Sequence, residues 1–276
     1  MKINIKISIV LFALFAMQFA SAQFYVGVQG GVAVISSNIT SSKYDTNLGG
    51  AIKAGYVYTI AKKFGLGTGI EFAQYRQNVG VVNGQSLTTS LVDQTGSAFF
   101  YTVNTNNYLE KQTLQTLQIP LFLQFSKEVN KGVKFNFRAG AKYCLPTSYK
   151  INASSDFVNA TGFYPDFNLT VTNLPAYGFG RNNSYETEGQ YSTRGAVMSF
   201  FELGFTFKIA NKSGLYFALF LENTHTSIIK NSTDNSFIGY NPNSISNREA
   251  NGLYSTKTNA NIKPRSFGLT VAYSFE

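Results

Sequence analysis

The stretch "FFELGFTFKI", Phe200 to Ile209, decides the fold. It contains four phenylalanines, a leucine and an isoleucine around a single carboxylate, Glu202. Read with a period of two, one face holds Phe201, Leu203, Phe205, Phe207 and Ile209, and the other holds Phe200, Glu202, Gly204, Thr206 and Lys208. Alternation of this kind indicates a β-strand rather than a helix. A charge on only one face predicts that the two faces meet different environments.

The same alternation recurs along the chain and predicts eight strands. They cover about 24–36, 49–60, 64–78, 112–127, 133–146, 194–209, 215–229 and 263–275. Short connections follow the second, fourth and sixth strands, whereas long polar connections include about 79–111, 147–193 and 230–262. An even strand count with tight turns on one side and long loops on the other is typical of outer-membrane barrels. A secreted β-sandwich is the alternative, although its loops would not sort by length in this way.

We therefore predict an all-β fold, an eight-stranded antiparallel up-and-down transmembrane β-barrel. The N-terminus carries the three parts of a secretory signal: Lys2 and Lys6, an apolar run over 7–17, and the small residues Ala20-Ser21-Ala22. The expected organisation is a signal peptide at 1–22, cleaved after about Ala22, and a barrel at 23–276 whose long loops are extracellular. The expected location is the bacterial outer membrane.

Composition argues against several functional classes. The formal net charge is +9, but the basic residues are scattered and form no run longer than Lys62-Lys63. This distribution, together with export, predicts no nucleic-acid partner. With one histidine and one cysteine in 276 residues, the sequence predicts no metal site and no cofactor.

One strand carries a family resemblance. The stretch "LQTLQIPLFLQF", Leu114 to Phe125, together with the signal, the eight-strand layout and the Tyr/Asn-rich loops, resembles the outer-membrane β-barrel family named after PorT, common in Bacteroidetes. Members often carry a Leu-x-x-Pro-Leu-like strand, which residues 117–121 fit, with Gln118 where an acidic residue is frequent. The resemblance implies a barrel in the outer membrane and a role accessory to secretion or envelope assembly.

Six charged residues fall on the polar faces of the predicted strands at similar depth. They are Lys53, Glu71, Arg138, Lys142, Glu202 and Glu222. An eight-stranded barrel is about wide enough for side chains to fill, and buried charges need partners. We expect an internal salt-bridge network that seals the lumen, with Arg138 or Lys142 in reach of Glu202 and with Lys53 and Glu71 forming its other part. The alternative for the same residues is a narrow pore.

The sequence offers one enzymatic alternative. His225-Thr226-Ser227 resembles the His-x-Ser of the lipid A deacylase barrels of the PagL type, with both side chains on the predicted lipid face. The acid that would orient the histidine is missing, because the following strand has no carboxylate before Glu276. We therefore predict no catalytic residues, with His225 and Ser227 as the enzymatic alternative only.

The long loops are the predicted location of function. Their Tyr, Asn, Ser, Thr and Gly residues provide amphipathic contact area and adaptable hydrogen bonds. The sequence therefore predicts a non-enzymatic outer-membrane barrel, surrounded by membrane lipid, that presents its loops to protein or glycan partners.

Overall fold

The computed structural model of the chain describes residues 22–39, 42–45, 47–81, 86–230 and 236–275. Apart from short 3-10 turns, the regular structure of these residues is β-strand, and all the strands pair antiparallel, which confirms the predicted class. The strands are β1 (Ala22–Ser36), β2 (Ser42–Asp45), β3 (Asn47–Ala61), β4 (Phe64–Val81), β5 (Ser86–Val92), β6 (Ala98–Asn106), β7 (Leu109–Asn130), β8 (Val133–Tyr164), β9 (Leu169–Val171), β10 (Gly180–Gln190), β11 (Ala196–Ala210), β12 (Ser213–Thr224) and β13 (Lys263–Phe275). No helix of these ranges is long and apolar enough to cross a membrane.

The strand pairings follow a circuit. β1 pairs with β3, and the order continues through β4, β7, β8, β11, β12 and β13 back to β1. We call this ring the barrel. Tight connections at 61–64, 130–133 and 210–213 mark one end of it, the turn end, and the opposite end is the far end. The predicted signal peptide, 1–22, lies outside the described residues except for Ala22, so its cleavage stays a prediction.

Two of the three segments predicted as long loops, 79–111 and 147–193, are largely strand, which corrects the sequence interpretation. β8 runs to Tyr164 instead of ending near 146, and β9 and β10 pair with it inside the predicted loop 147–193. The predicted loop 79–111 contains β5 and β6, and β6 also pairs with β8. The wall of the barrel therefore continues as sheet beyond its far end.

The reason is a reversal of polarity along the strands, which β7 shows clearly. Near the turn end its outward side chains are apolar, as at Leu121 and Leu123, and Gln124 points inward. Near the far end the outward residue is Lys111, while Leu114 points inward and is fully buried. The outer surface changes from apolar to polar and the interior changes in the opposite sense. Far-end strands therefore alternate as in a water-soluble sheet.

Residues 225–230 and 236–262, the described parts of the connection between β12 and β13, fill the far half of the interior, and we call them the inserted segment. The predicted seventh strand, 215–229, is too long: β12 ends at Thr224, and Ile228 and Ile229 are buried in this inserted segment. Gly252 is needed where the segment meets the wall. It has a φ of 82°, and a Cβ there would lie 2.1 Å from the Tyr191 hydroxyl oxygen.

The inserted segment and the far-end wall share one apolar and aromatic cluster, the upper core. Tyr254 stacks on Tyr191 with ring centroids 5.2 Å apart, and Phe237 packs edge-on against Tyr108 at 5.1 Å. From the inserted segment the upper core takes Ile228, Ile229, Phe237, Ile238, Ala250, Leu253, Tyr254, Ala260 and Ile262. Its burial is ordinary core packing by the hydrophobic effect.

Candidate functional site

The six charged residues singled out in the sequence all point into the barrel. Each is at most 5% exposed. Their strands are β3 for Lys53, β4 for Glu71, β8 for Arg138 and Lys142, β11 for Glu202, and β12 for Glu222. We call these six residues the lumen network. They lie in the part of the barrel whose outer surface is apolar.

Glu202 is the centre of one half of the network. Its Oε1 forms a short contact with Lys53 Nζ, and its Oε2 lies 3.3 Å from Arg138 Nη1. The Tyr216 hydroxyl also donates to Glu202 Oε2, at 3.4 Å. β3 and β11 are opposite in the circuit of pairings, so the Lys53–Glu202 pair spans the lumen from wall to wall.

Lys142 is the centre of the other half. Its Nζ contacts Glu71 Oε2 and lies 2.5 Å from Glu222 Oε1. The partners of Lys53 and Glu71 differ from the expected arrangement. The two residues are cross-strand neighbours in the β3–β4 register, yet each forms its ion pair with a more distant strand. Cross-lumen pairing lets one ammonium contact two carboxylates from strands that are not neighbours. The extra negative charge of this half is matched by the extra cation of the Glu202 half.

Polar side chains join the two halves. Gln29 donates from Nε2 to Glu222 Oε1 at 2.8 Å, and its Oε1 accepts from Lys53 Nζ at 3.5 Å. The Ser266 hydroxyl donates to Glu222 Oε2 at 2.5 Å. The three carboxylates and three cations of the network balance in charge. Balanced, hydrogen-bonded charges avoid the several kcal/mol or more that an isolated buried ion would cost.

Aromatic rings fill the space around Arg138. Its guanidinium carbon lies 4.3 Å from the ring centroid of Tyr216, 5.1 Å from that of Tyr25 and 5.4 Å from that of Phe122. The Phe122 ring occupies the room that Gly67 leaves, because a Cβ on Gly67 would lie 2.2 Å from a ring carbon. Cation–π contacts of this kind favour a fixed guanidinium. The interior at this depth is packed by large side chains.

The structure does not bring His225 and Ser227 together. His225 is exposed, and its Nε2 lies 2.9 Å from the Oγ of Ser199 on β11. Ser227 is buried and donates to the carbonyl oxygens of Ile229 and Ala260. The expected shared face fails because the strand ends before both residues. Within the described residues no carboxylate hydrogen-bonds to His225, and no group of three or more His, Cys, Asp or Glu is placed to hold a metal ion.

Sequence reasoning missed Glu110, a fully buried carboxylate in the upper core. It accepts hydrogen bonds from the Tyr108 hydroxyl at 2.8 Å, Gln112 Nε2 at 2.9 Å, the Tyr191 hydroxyl at 3.0 Å and the backbone N–H of Leu253 at 2.6 Å. Burial raises the pKa of Glu110 more than these hydrogen bonds lower it. Through Leu253 it fastens the inserted segment to the wall. The alternation along β7 would have predicted that Glu110 points inward if the predicted strand had begun at Leu109 instead of at 112.

Arg248 is a second buried charge that no sequence pattern indicates. Its Nη2 donates to the carbonyl oxygens of Gly178 at 2.9 Å and Gly180 at 3.2 Å. Its Nε and Nη1 are buried and make no hydrogen bond. Burial lowers the pKa of Arg248. The side chain ties the inserted segment to the turn that precedes β10.

No protein-family model matches the sequence, and no curated protein matches it. Among solved structures, the chain is similar to Neisserial surface protein A (NspA), with 9% identity, 92% of this chain and 98% of that chain covered, and a TM-score of 0.37. OprG from Pseudomonas aeruginosa shows 14% identity, coverages of 93% and 97%, and a TM-score of 0.36. Ail of Yersinia pestis, in complex with the heparin analogue sucrose octasulfate, shows 9% identity, coverages of 91% and 99%, and a TM-score of 0.30. Likeness at this level carries no argument about what this chain binds or does.

Proposed function

We propose that the protein is a non-enzymatic integral β-barrel of the bacterial outer membrane, with a lumen sealed by its salt bridges, that presents the strands beyond its far end to a partner. The observation that carries this proposal is the apolar band on the outer surface of a ring whose interior is charged. Such an arrangement is the reverse of a soluble protein and matches a lipid surround.

The apolar band has the height that a membrane requires. On β7 the outward residues from Leu117 to Phe125 are all apolar, and this span of nine residues is what a tilted strand needs to cross the hydrocarbon region. Aromatic side chains gather at the turn end of the band. Phe24 stacks on Phe275 with centroids 5.8 Å apart, and Phe64 lies 5.4 Å from Phe125. Aromatic girdles are characteristic of membrane interfaces.

Two layers support a sealed lumen. The lumen network bridges opposite walls through Lys53 and Glu202, and the upper core fills the far half with the inserted segment. A solute would have to displace paired charges and then a packed apolar core. We therefore propose that the narrow-pore alternative is not the function.

The extended sheet supports partner binding. Its tip, from the end of β8 to the turn before β10, exposes several apolar side chains to solvent, and Val92 and Phe100 on the nearby β5 and β6 are exposed as well. The apolar side chains of the tip are Phe163, Phe167, Leu169, Leu174 and Tyr177, with exposures between 37% and 67%. Exposed apolar groups in one region are typical of interaction sites. We propose a protein or glycan partner at this tip, and the PorT-type family, with its accessory role in secretion or envelope assembly, stays part of the proposal.

The enzymatic alternative has less support. A deacylase built on His225 and Ser227 would need the two side chains to meet at the membrane surface, but Ser227 is buried and bonded to main chain. We propose that lipid A from cells expressing the protein keeps all its acyl chains. Loss of an acyl chain, restored by His225→Ala, would favour the enzyme.

The test of the proposal combines fractionation and conductance. We expect the exported protein to stay with outer membranes after carbonate extraction and to change gel mobility on boiling. Purified protein in planar bilayers should show no solute conductance. Recovery as a soluble protein would refute the membrane barrel, and stable channels whose selectivity changes in Glu202→Gln would refute the sealed lumen.

A further inference from the structure

The outward face shared by β4, β7 and β8 changes chemistry in parallel rows. Nearest the middle of the band is an apolar row, in which Leu117 pairs with Phe72 on one side and Leu145 on the other. The next row is polar and uncharged, with Gln115 between Gln74 and Ser148. From the middle of the band toward the far end, the outward face is therefore first apolar, then polar and uncharged, and then basic.

Beyond the uncharged polar row lie three exposed cations, Arg76, Lys111 and Lys150, which we call the basic patch. Arg76 and Lys150 both pair in register with Thr113 on β7, one from each side. Neighbouring strands are about 4.8 Å apart, so the two cations are about 10 Å apart, and Lys111, two residues beyond Thr113, is about 7 Å from that row. The three side chains therefore form a compact triangle.

The charge of the basic patch is not neutralised within the chain. Among the described residues no acid forms an ion pair with any of the three cations. Two carboxylates flank the triangle in register, Asp45 on one side and Glu188 on the other. Each is two strands away from Lys111, and neither forms an ion pair with the three cations. Arg76 is held in place by Gln74, whose amide oxygen, when turned toward it, accepts from Nε at 2.8 Å and Nη2 at 2.9 Å.

We infer that the basic patch and the rows beneath it bind one membrane glycolipid of the outer leaflet that carries phosphate groups on its head. Phosphates suit a guanidinium and two ammonium groups, which offer several charge-assisted donors. Acyl chains suit the apolar row of Leu117. The uncharged polar row of Gln115, which lies between that row and the basic patch, contacts the head group. The patch sits where the band ends, which is the depth of lipid head groups.

This inference rests on the proposed membrane location, and its test separates the two. The full chain is refolded into neutral phosphatidylcholine vesicles, and retention of bisphosphorylated lipid A is compared with that of dephosphorylated lipid A by mass spectrometry of the purified protein. The test variant is Arg76→Gln/Lys111→Gln/Lys150→Gln. The matched control, Lys62→Gln/Lys131→Gln/Lys212→Gln, removes the same charge from three exposed positions at the turn end.

We expect the test variant to retain bisphosphorylated lipid A at least about tenfold less than wild type, and the control to match wild type. Dephosphorylated lipid A should bind wild type weakly, and inorganic phosphate should not compete. Equal retention by the test variant, equal binding of dephosphorylated lipid, or competition by free phosphate would each overturn the inference. A wild type that fails to insert into vesicles would instead refute the membrane location, which gel mobility before and after boiling reports independently.

Discussion

The same strands enclose two halves of the barrel interior that have opposite polarity. In the half near the turn end, the interior holds six buried charges and the outer surface is apolar. In the far half, the interior is the upper core, and the outer surface carries residues such as Lys111 and Asn152. β4, β7 and β8 pass through both halves without a break.

The comparison shows that the same strands serve both halves although the surrounding medium changes. On β4 and β7 the inward positions stay inward, since successive side chains alternate, whereas β8 changes parity at an irregularity near Pro146, so that Cys144 and Tyr149 both point inward. With the proposed lipid around the apolar band, polar groups must lie inside, and they need partners because water is excluded. Where water lies outside, the interior can be apolar, and the inserted segment supplies the side chains to fill it.

The largest expected effect comes from breaking the charged half. Glu202→Ala removes the partner of both Lys53 and Arg138, and we expect a loss of about 3–5 kcal/mol in the free energy of unfolding, the range for breaking a buried pair. Urea titration of the vesicle-inserted protein, read by gel mobility, measures it. Glu128→Ala, at an exposed position near the turn end, is the control and should change little. Equal stability of the two variants would contradict the role of the network.

The apolar half should respond locally. Leu253 is 1% exposed in the upper core, and Leu253→Ala should cost about 3 kcal/mol through lost burial and a cavity. We expect proteolysis to cleave the inserted segment while the barrel still changes gel mobility on boiling. Global loss of the folded band at the same protease dose would show that the two halves are not separable.

A charge on the outer surface distinguishes the two media. Leu203→Glu puts a carboxylate on the apolar band and should destabilise the inserted barrel by about 2 kcal/mol, whereas Asn152→Glu, also outward but in the far half, should be close to neutral. Vesicle insertion yield and urea midpoints report both. Similar effects at the two positions would mean that the band does not meet lipid.

The smallest expected effect concerns Glu110. Because burial raises its pKa in the folded state, its contribution to stability is complete below the unfolded pKa and is lost as the pH rises through the folded pKa. The protection factors of amides in the inserted segment, in which the intrinsic rise of exchange with pH has been divided out, should therefore be larger at pH 4 than at pH 8. Glu110→Gln should remove this pH dependence and cost about 1 kcal/mol, because its amide nitrogen cannot accept the hydrogen bonds that the replaced carboxylate oxygen accepts. A pH dependence that survives in Glu110→Gln would assign it to another group.

The sequence pattern predicted part of the candidate site, namely which charged side chains point inward. Parity put all six charges of the lumen network inside, because the outward positions of the same strands are apolar. The ion-pair partners of these residues could not be predicted from the sequence. Lys53 is beside Glu71 in the sheet but pairs with Glu202, and that choice depends on the width of the lumen and on which side chains reach across it.

By itself the sequence determined the strand class, the approximate positions of the eight ring strands and the inward face of each near the turn end, since a period of two needs no knowledge of distant contacts. Tertiary structure alone decided the rest. Two regions interpreted as polar loops, 79–111 and 147–193, contain strands because their inward residues, such as Tyr101 and Val158, find a core only when the inserted segment folds against them. That core brings together residues that are far apart in the chain. The local alternation of side chains does not indicate which distant segment covers these strands.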